Sequence, residues 1–182
     1  MNQNATLRSR PALRAALGVL ALLLAALFAP GVGVIGGAGD AAASAQVTKI
    51  SHAQATSMFS SSGITWSSSG GCSDRNTSTC TSFDQLNLTT AQGAQTLKSA
   101  SGCALNITGG TETGHASGTY SHWNGYKLDF GKNTCITNYV KSAFTYIGLR
   151  GDGYPQWEAA SGNLYADEGS HWDATYYNCG GC

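Results

Sequence analysis

The chain has 182 residues with ten basic and ten acidic side chains, so its formal net charge is zero. Because the charge is balanced and there is no basic cluster, nucleic acid or an anionic membrane surface is not expected as the main partner. The length suffices for one ordinary domain with a single core.

The N-terminus has the pattern of a signal peptide. Three arginines and no acidic residue occupy the first 14 positions, and the apolar stretch AALGVLALLLAALFAPGVGV follows. Ala43-Ser44-Ala45 fits a cleavage site, so we predict a signal peptide over 1–45 and one mature domain over 46–182. Cleavage would leave seven basic and nine acidic residues, a net charge of −2. An uncleaved membrane anchor is the alternative, and the absence of a stop-transfer pattern disfavours it.

Two helices are predicted in the first half of the mature chain. Ser51 and Gln54 have the spacing of a capping box, which predicts a helix that ends at the Ser/Gly run 60–63. Ser82 and Gln85 repeat this spacing, and the segment 90–100 is typical of a helix closed by Gly102. The long Gly/Ser-rich segment between the two helices is predicted to be a loop.

The second half is predicted to consist mainly of strands. The segments ALNIT and YKLDF are short strand candidates separated by the Gly-rich connection GGTETGHASGTYSHWNG, and a helix is predicted from Asn133 or Thr134. Four further strand candidates follow, YIGLR, PQWEAA, NLYADE and HWDATYY, with a hairpin turn at 161–163. Helices first and strands last favour an α+β fold, with helices packed on one face of a small antiparallel sheet.

All six cysteines follow the predicted cleavage site, at positions 72, 80, 103, 135, 179 and 182. An even number in an exported chain suggests three disulfides, for which fifteen pairings are possible. Proximity favours Cys72 with Cys80 and Cys179 with Cys182, which leaves Cys103 for Cys135. The alternative for the last pair is a structural zinc site, which would need two further ligands and reduced thiols.

Histidine, aspartate and glutamate are few, so their spacing is informative. His122 and Asp129 lie seven residues apart, and Glu168 precedes His171 by three. Two histidines and one carboxylate are sufficient to bind zinc with a fourth position open, where water becomes acidic enough to react near neutral pH. A further carboxylate that is not a ligand would then take the proton from that water.

This pattern resembles that of the zinc D-alanyl-D-alanine metallopeptidases, which include D,D-carboxypeptidases, D,D-dipeptidases and L-alanyl-D-glutamate endolysins and have a hedgehog-like zinc fold. Their shared motif is His, then Gly three residues on and Asp seven on, followed later by Glu-x-x-His. Here His122, Gly125 and Asp129 match the first part, and Glu168 and His171 match the second. The resemblance extends over roughly 81–177.

The resemblance implies a role for each of these residues. His122, Asp129 and His171 would bind Zn²⁺, and Glu168 would act as general base and then acid. The family often has an arginine in an S-G-x-R motif that stabilises the oxyanion, whereas this chain has Thr-Gly-Gly-Thr at 108–111. We expect Arg75, in the loop between Cys72 and Cys80, to replace that arginine.

The function that the resemblance implies is a secreted zinc peptidase that hydrolyses amide bonds in peptidoglycan stem peptides. We expect a monomer with the zinc at one end of the sheet, and neither nucleic acid nor, after cleavage, a membrane as partner. Carboxypeptidase and endopeptidase activity are both compatible with the sequence. Two alternatives stay open, a non-catalytic wall-binding or zinc-binding module and a metal-free secreted structural domain.

Two further residues near the motif have open roles. His115 is a candidate for an alternative ligand or a substrate contact, and a solvent-exposed loop position is equally compatible with it. Glu112 is a candidate for orienting a ligand histidine from outside the ligand set, as such sites commonly require, or for solvating a turn.

Overall fold

The structure is a computed structural model that describes residues 47–177. The predicted signal peptide and the predicted Cys179–Cys182 disulfide lie outside the described residues. Within the described range the chain forms three helices and nine strands, which confirms the α+β class. No helix in this range is both long and apolar enough to cross a membrane.

The elements follow the order strand, helix, two strands, helix, two strands, helix and four strands. They are β1 (Lys49–Ile50), α1 (His52–Ser61), β2 (Thr65–Trp66), β3 (Leu86–Asn87), α2 (Leu88–Ser101), β4 (Asn106–Gly109), β5 (Lys127–Gly131), α3 (Thr134–Ala143), β6 (Thr145–Leu149), β7 (Pro155–Glu158), β8 (Leu164–Asp167) and β9 (His171–Thr175).

The main sheet is larger than predicted and is mixed. Its seven strands have the order β2-β4-β5-β9-β8-β7-β6, and β2 pairs with β4 in parallel while the other pairs are antiparallel. Strands β1 and β3 form a separate antiparallel pair. The prediction of a small antiparallel sheet was wrong on size and direction, because a two-residue strand such as β2 is too short to show an alternating pattern.

The three predicted helices are present, and one of the two predicted capping boxes is wrong. Ser51 and Gln54 form the predicted capping box on α1, and Asn133 caps α3 by accepting from the backbone N–H of Ile136. The second predicted capping box is wrong, because Ser82 Oγ accepts from the backbone N–H of Asp84 and the helix begins only at Leu88. Helix α2 ends at Gly102 in the left-handed conformation, as predicted.

Two disulfides lie within the described residues, and both were predicted. Cys72–Cys80 closes the Gly/Ser-rich loop, and Cys103–Cys135 ties the end of α2 to the first turn of α3. Disulfides of this kind form in oxidising compartments, so they fit a protein that matures outside the cytoplasm.

The two faces of the central strands carry different side chains. Leu128 and Phe130 of β5 and Trp172 and Ala174 of β9 are buried in the hydrophobic core with residues of the three helices. Successive side chains of a strand point to opposite faces, so the odd-numbered residues of β5 and β9 share the face away from this core. This face carries Asp129, His171 and Asp173. The predicted ligands from the sheet, Asp129 and His171, therefore lie on this open face of its central strands.

A close contact beneath this sheet gives a stability prediction. Gly93 of α2 packs against the buried ring of Tyr176, and a Cβ at position 93 would lie under 3.0 Å from two ring carbons. Gly93→Ala is expected to lower the free energy of unfolding by up to about 2 kcal/mol, because overpacking costs more than the roughly 1 kcal/mol gained in helix propensity. Urea denaturation measures the change.

The control is Gly151→Ala, since a Cβ there would meet no atom within 4 Å and the φ angle of Gly151 is not positive. This variant should be as stable as the wild type or slightly more stable. Equal stabilities for the two variants would contradict the close packing of Gly93 on Tyr176.

Candidate metal centre

A pocket of about 470 Å³ lies on the open face of the sheet. Its walls combine histidines, carboxylates and two permanent cations. The residues with titratable or cationic side chains are His115, His122, Lys127, Asp129, Arg150, Asp152, Tyr154, Glu168, His171 and Asp173. The pocket therefore contains the four residues that the sequence predicts as ligands or as the base.

Strand register explains why three of these residues meet. Asp129 of β5 is directly opposite Asp173 of β9, and Gly131 is opposite His171. Opposed residues in an antiparallel pair point to the same face, so Asp129, Asp173 and His171 share the floor of the pocket. His171 Nε2 lies 3.6 Å from Asp129 Oδ1.

His122 comes from the long connection between β4 and β5 and is only 4% exposed. Its Nδ1 lies 2.7 Å from the carbonyl oxygen of Gly110, an acceptor, so Nδ1 carries the proton. The other ring nitrogen, Nε2, lies 3.3 Å from Asp129 Oδ1. The contact between His122 Nδ1 and the Gly110 carbonyl fixes the ring orientation, as metal-binding histidines usually require.

Gly125 holds the turn that presents His122. Its backbone N–H donates to the His122 carbonyl, and its own carbonyl accepts from Asn87 N and Thr90 Oγ1 at the start of α2. Its φ is +76°, and a Cβ would lie under 3.0 Å from the backbone of Gln85 and Asn87. Only glycine fits this position, which explains the Gly three residues after the histidine.

Two consecutive glycines, Gly109 and Gly110, lie beside Asp129 and His122. Gly109 ends β4 beside Asp129, and a Cβ on Gly109 would lie under 3.0 Å from a carboxylate oxygen of Asp129. The next residue, Gly110, is fixed by Glu112, whose buried carboxylate accepts from the Gly110 and Ser82 N–H groups. Glu112 therefore holds the residue whose carbonyl contacts His122. Of the two candidate roles for Glu112, orienting a ligand histidine and solvating a turn, these contacts are those that the first would need.

The four residues of the Glu-x-x-His motif, 168–171, form the hairpin turn between β8 and β9. The Glu168 N–H donates to the His171 carbonyl, and Gly169 between them has a φ of +83°. This turn brings Glu168 Oε2 to 3.1 Å from His171 Nε2. The other carboxylate oxygen of Glu168 accepts from Arg150 Nη2. Glu168 thus lies beside the histidine and is held in place by an arginine.

One buried oxygen shows that the residues fit a cation. Asp129 Oδ1 is buried and has no hydrogen-bond partner, although two imidazole nitrogens lie 3.3 and 3.6 Å from it. Two donors that are each about 2.1 Å from one ion are at most about 4.2 Å apart. A cation would satisfy this oxygen, and nitrogen and carboxylate donors are those that zinc prefers.

The groups around Asp129 and His122 favour the charged form of the Asp129 carboxylate. Burial disfavours the charged form of Asp129, but His122 and the other imidazoles outweigh burial and lower the pKa of Asp129. Burial likewise disfavours charged His122, but Asp129, Asp173 and the backbone contact outweigh it and raise the pKa of His122. Asp129 is therefore an anion near neutral pH, which is the form that binds a metal ion.

His115 is also close to this site. Donor atoms of His115, His122 and Asp129 lie within 4.8 Å of one another, so these three residues could hold a metal ion. The His115 ring stacks on the His122 ring, with 3.8 Å between centroids and 17° between planes. Its Nε2 lies 3.2 Å from Glu112 Oε1. The alternative ligand suggested by the sequence is thus adjacent to the predicted ligands.

The two arginines within residues 47–177 have different positions. Arg75, predicted to stabilise an oxyanion, is not among the residues that line the pocket; it donates to the backbone carbonyls of Thr111 and Trp123 and covers the Trp123 ring. Arg150 does line the pocket. Its pKa is raised, chiefly by the hydrogen bonds that it donates to Asp152, with those to Glu168 and Asp173 contributing further.

Among the charged residues that line the pocket, sequence reasoning missed Lys127, Arg150, Asp152 and Asp173. Asp173 follows His171 by two, so strand alternation could have placed both on one face. Arg150 lies in the turn after β6, where no periodic pattern predicts its direction.

No protein-family model matches this chain, and no curated protein or solved structure matches it significantly.

Proposed function

We propose that the protein is a secreted zinc-dependent peptidase that hydrolyses amide bonds in peptidoglycan stem peptides. The observation that carries the proposal is the buried, unsatisfied oxygen of Asp129 with His122 Nε2 and His171 Nε2 beside it. These are the three residues that the family resemblance implies as ligands. His171 follows Asp129 by 42 positions, so the fold and not sequence proximity brings it to the other two.

His171 is a better third ligand than His115. A metal ion lies near the plane of each imidazole that binds it, because the nitrogen lone pair lies in that plane. The stacked, nearly parallel rings of His115 and His122 do not direct their lone pairs to a common point. His171 Nε2 instead approaches the same Asp129 oxygen as His122 Nε2. We therefore assign zinc to His122, Asp129 and His171.

Zinc in this position supplies Lewis acidity, which polarises a carbonyl and acidifies water near neutral pH. Glu168 lies next to His171 and is not needed as a ligand, so it accepts a proton from the attacking water and passes it to the leaving amine. Arg150 holds one Glu168 oxygen and leaves the other directed toward His171. Arg150 is thereby a positioning residue for the base.

The pocket and the predicted export agree with such a substrate. A volume of about 470 Å³ is within the range of small-ligand sites and suits a few residues of an extended peptide. The two disulfides fit an oxidising environment, which is where the cell wall lies. The products released from peptidoglycan would distinguish cleavage of a terminal bond from cleavage of an internal bond.

A specific observation favours a second candidate, a non-catalytic zinc-binding or wall-binding module. The arginine that lines the pocket, Arg150, is paired with three carboxylates, Asp152, Glu168 and Asp173. A cation so occupied is less available to a developing oxyanion, whose stabilisation by one donor is typically worth roughly 3 kcal/mol.

An assay on peptidoglycan separates the two functions. The zinc-loaded protein should release amino acids or peptides from purified peptidoglycan or synthetic stem peptides, lose this activity with a chelator and regain it with zinc. Mass spectrometry of the products identifies the bond. Zinc binding with no release from any of these substrates would overturn the peptidase and support the binding module.

A further inference from the structure

A second buried aspartate, Asp173, faces the same site, and the proposed mechanism does not use it. Asp173 on β9 is directly opposite Asp129 on β5. Directly opposed residues in an antiparallel pair have Cβ atoms about 4.5–5.5 Å apart on one face, and like charges in that arrangement repel each other. Two buried aspartates in such a pair therefore require cations close to both.

The two oxygens of Asp173 have different surroundings. Oδ2 accepts from Lys127 Nζ at 2.5 Å and from Arg150 Nη1 at 2.7 Å. Oδ1 is buried and has no hydrogen-bond partner, and the side chain is only 5% exposed. A buried acceptor without a donor is destabilising unless a group from outside the protein satisfies it.

The position of Oδ1 indicates what that group is. Asp173 Oδ1 lies 3.8 Å from His122 Nε2, the same nitrogen that lies 3.3 Å from the unsatisfied oxygen of Asp129. The pocket is lined by four carboxylates and only two permanent cations. This leaves two negative charges in excess, which one divalent cation would balance and a water molecule would not.

We propose that Asp173 is a further ligand of the metal ion, through Oδ1, beside His122, Asp129 and His171. The inference rests on the metal centre of the proposed function and extends it. The distance of 3.8 Å between Asp173 Oδ1 and His122 Nε2 is below the limit of about 4.2 Å for two donors on one ion. Lys127 and Arg150 hold the other oxygen, as outer partners of ligating carboxylates do. Zinc sites sometimes expand to five donors, which would leave a position for water beside these four residues.

Titration of the wild type and of Asp173→Asn with Zn²⁺, and separately with Co²⁺, tests the assignment. The variant should bind zinc more than about 100-fold more weakly, because loss of a group that only supports a ligand costs about 10–100-fold. The visible absorption of bound Co²⁺ should change, since the ion loses a donor. The control is Glu158→Gln, because Glu158 is an exposed carboxylate on β7 that does not line the pocket, and this variant should bind zinc like the wild type.

A smaller loss in Asp173→Asn with an unchanged Co²⁺ spectrum would overturn the assignment and leave the proposed function intact. If the wild type binds no zinc, the metal centre of the proposed function fails as well. Should Asp173→Asn not fold, the crystal structure of the zinc-loaded wild type decides: Asp173 Oδ1 is expected at about 2.0–2.2 Å from the ion, and a separation above about 3 Å would overturn the inference.

Discussion

Replacing His122 or His171 with alanine is expected to lower the zinc affinity by more than about 100-fold, because each variant loses a nitrogen ligand and not merely a neighbour of one. His115→Ala is expected to lose less, within the range of about 10–100-fold that is typical of outer partners. The physical reason is that the His115 ring stacks on the His122 ring and contacts Glu112, while His122 and His171 both face one oxygen of Asp129. Isothermal titration with Zn²⁺ measures all three.

The matched control is His52→Ala. His52 is the remaining histidine of the chain, it stacks on Phe83 and it does not line the pocket, so its loss should leave the zinc affinity unchanged. Full zinc binding by both His122→Ala and His171→Ala would rule out the assigned ligands. A larger loss in His115→Ala than in His171→Ala would show that His115 is the third ligand.

Replacing Glu168 with glutamine is expected to reduce turnover at least about 100-fold, equivalent to roughly 2.7 kcal/mol in the barrier, since general acid–base groups contribute about 10²–10⁴-fold. The amide keeps the shape of the side chain and one oxygen that can accept from Arg150, but it cannot take a proton from water. Zinc content and folding should therefore stay close to those of the wild type. Turnover on a released stem peptide and metal analysis measure the two effects.

Glu158→Gln provides the control, because Glu158 is an exposed carboxylate on β7 that does not line the pocket. It should retain wild-type turnover. Wild-type turnover in Glu168→Gln would remove Glu168 from the mechanism, and loss of zinc from that variant would make Glu168 a ligand instead.

Local sequence signals predicted much of the fold. The capping box at Ser51 and the cap at Asn133 act within three residues, so they can be read directly from the sequence. The pairing of Cys72 with Cys80 follows from proximity. The extent of the main sheet did not follow, because strand β2 has two residues and its parallel pairing with β4 depends on contacts about 40 positions apart.

The candidate site was also predictable in part, because the spacing of its motif residues is a local sequence signal. Motif spacing indicated His122, Asp129, Glu168 and His171, and the fold brings them to one pocket. The spacing holds no information on Arg150, whose side chain reaches the pocket from the turn after β6. It also did not indicate that Arg75 would be occupied by the carbonyls of Thr111 and Trp123, since that arrangement depends on how two loops pack.

Strand alternation and register together explain why two carboxylates meet on the open face of the sheet. Apart from Gly131, the odd-numbered residues of β5 and β9 are polar or charged, and the even-numbered ones are buried and apolar. The alternation fixes which side chains meet, but only the register, with Asp129 opposite Asp173, brings two carboxylates together. Register is set by the whole sheet and not by either strand alone.

Metal analysis of the purified wild-type protein tests the metal centre most directly. After equilibration with Zn²⁺ and removal of unbound metal, the protein should contain one zinc per chain, because two imidazole nitrogens surround a buried carboxylate oxygen that nothing else satisfies. Protein that is folded and nevertheless retains no metal would contradict the metal centre, and with it the proposed peptidase.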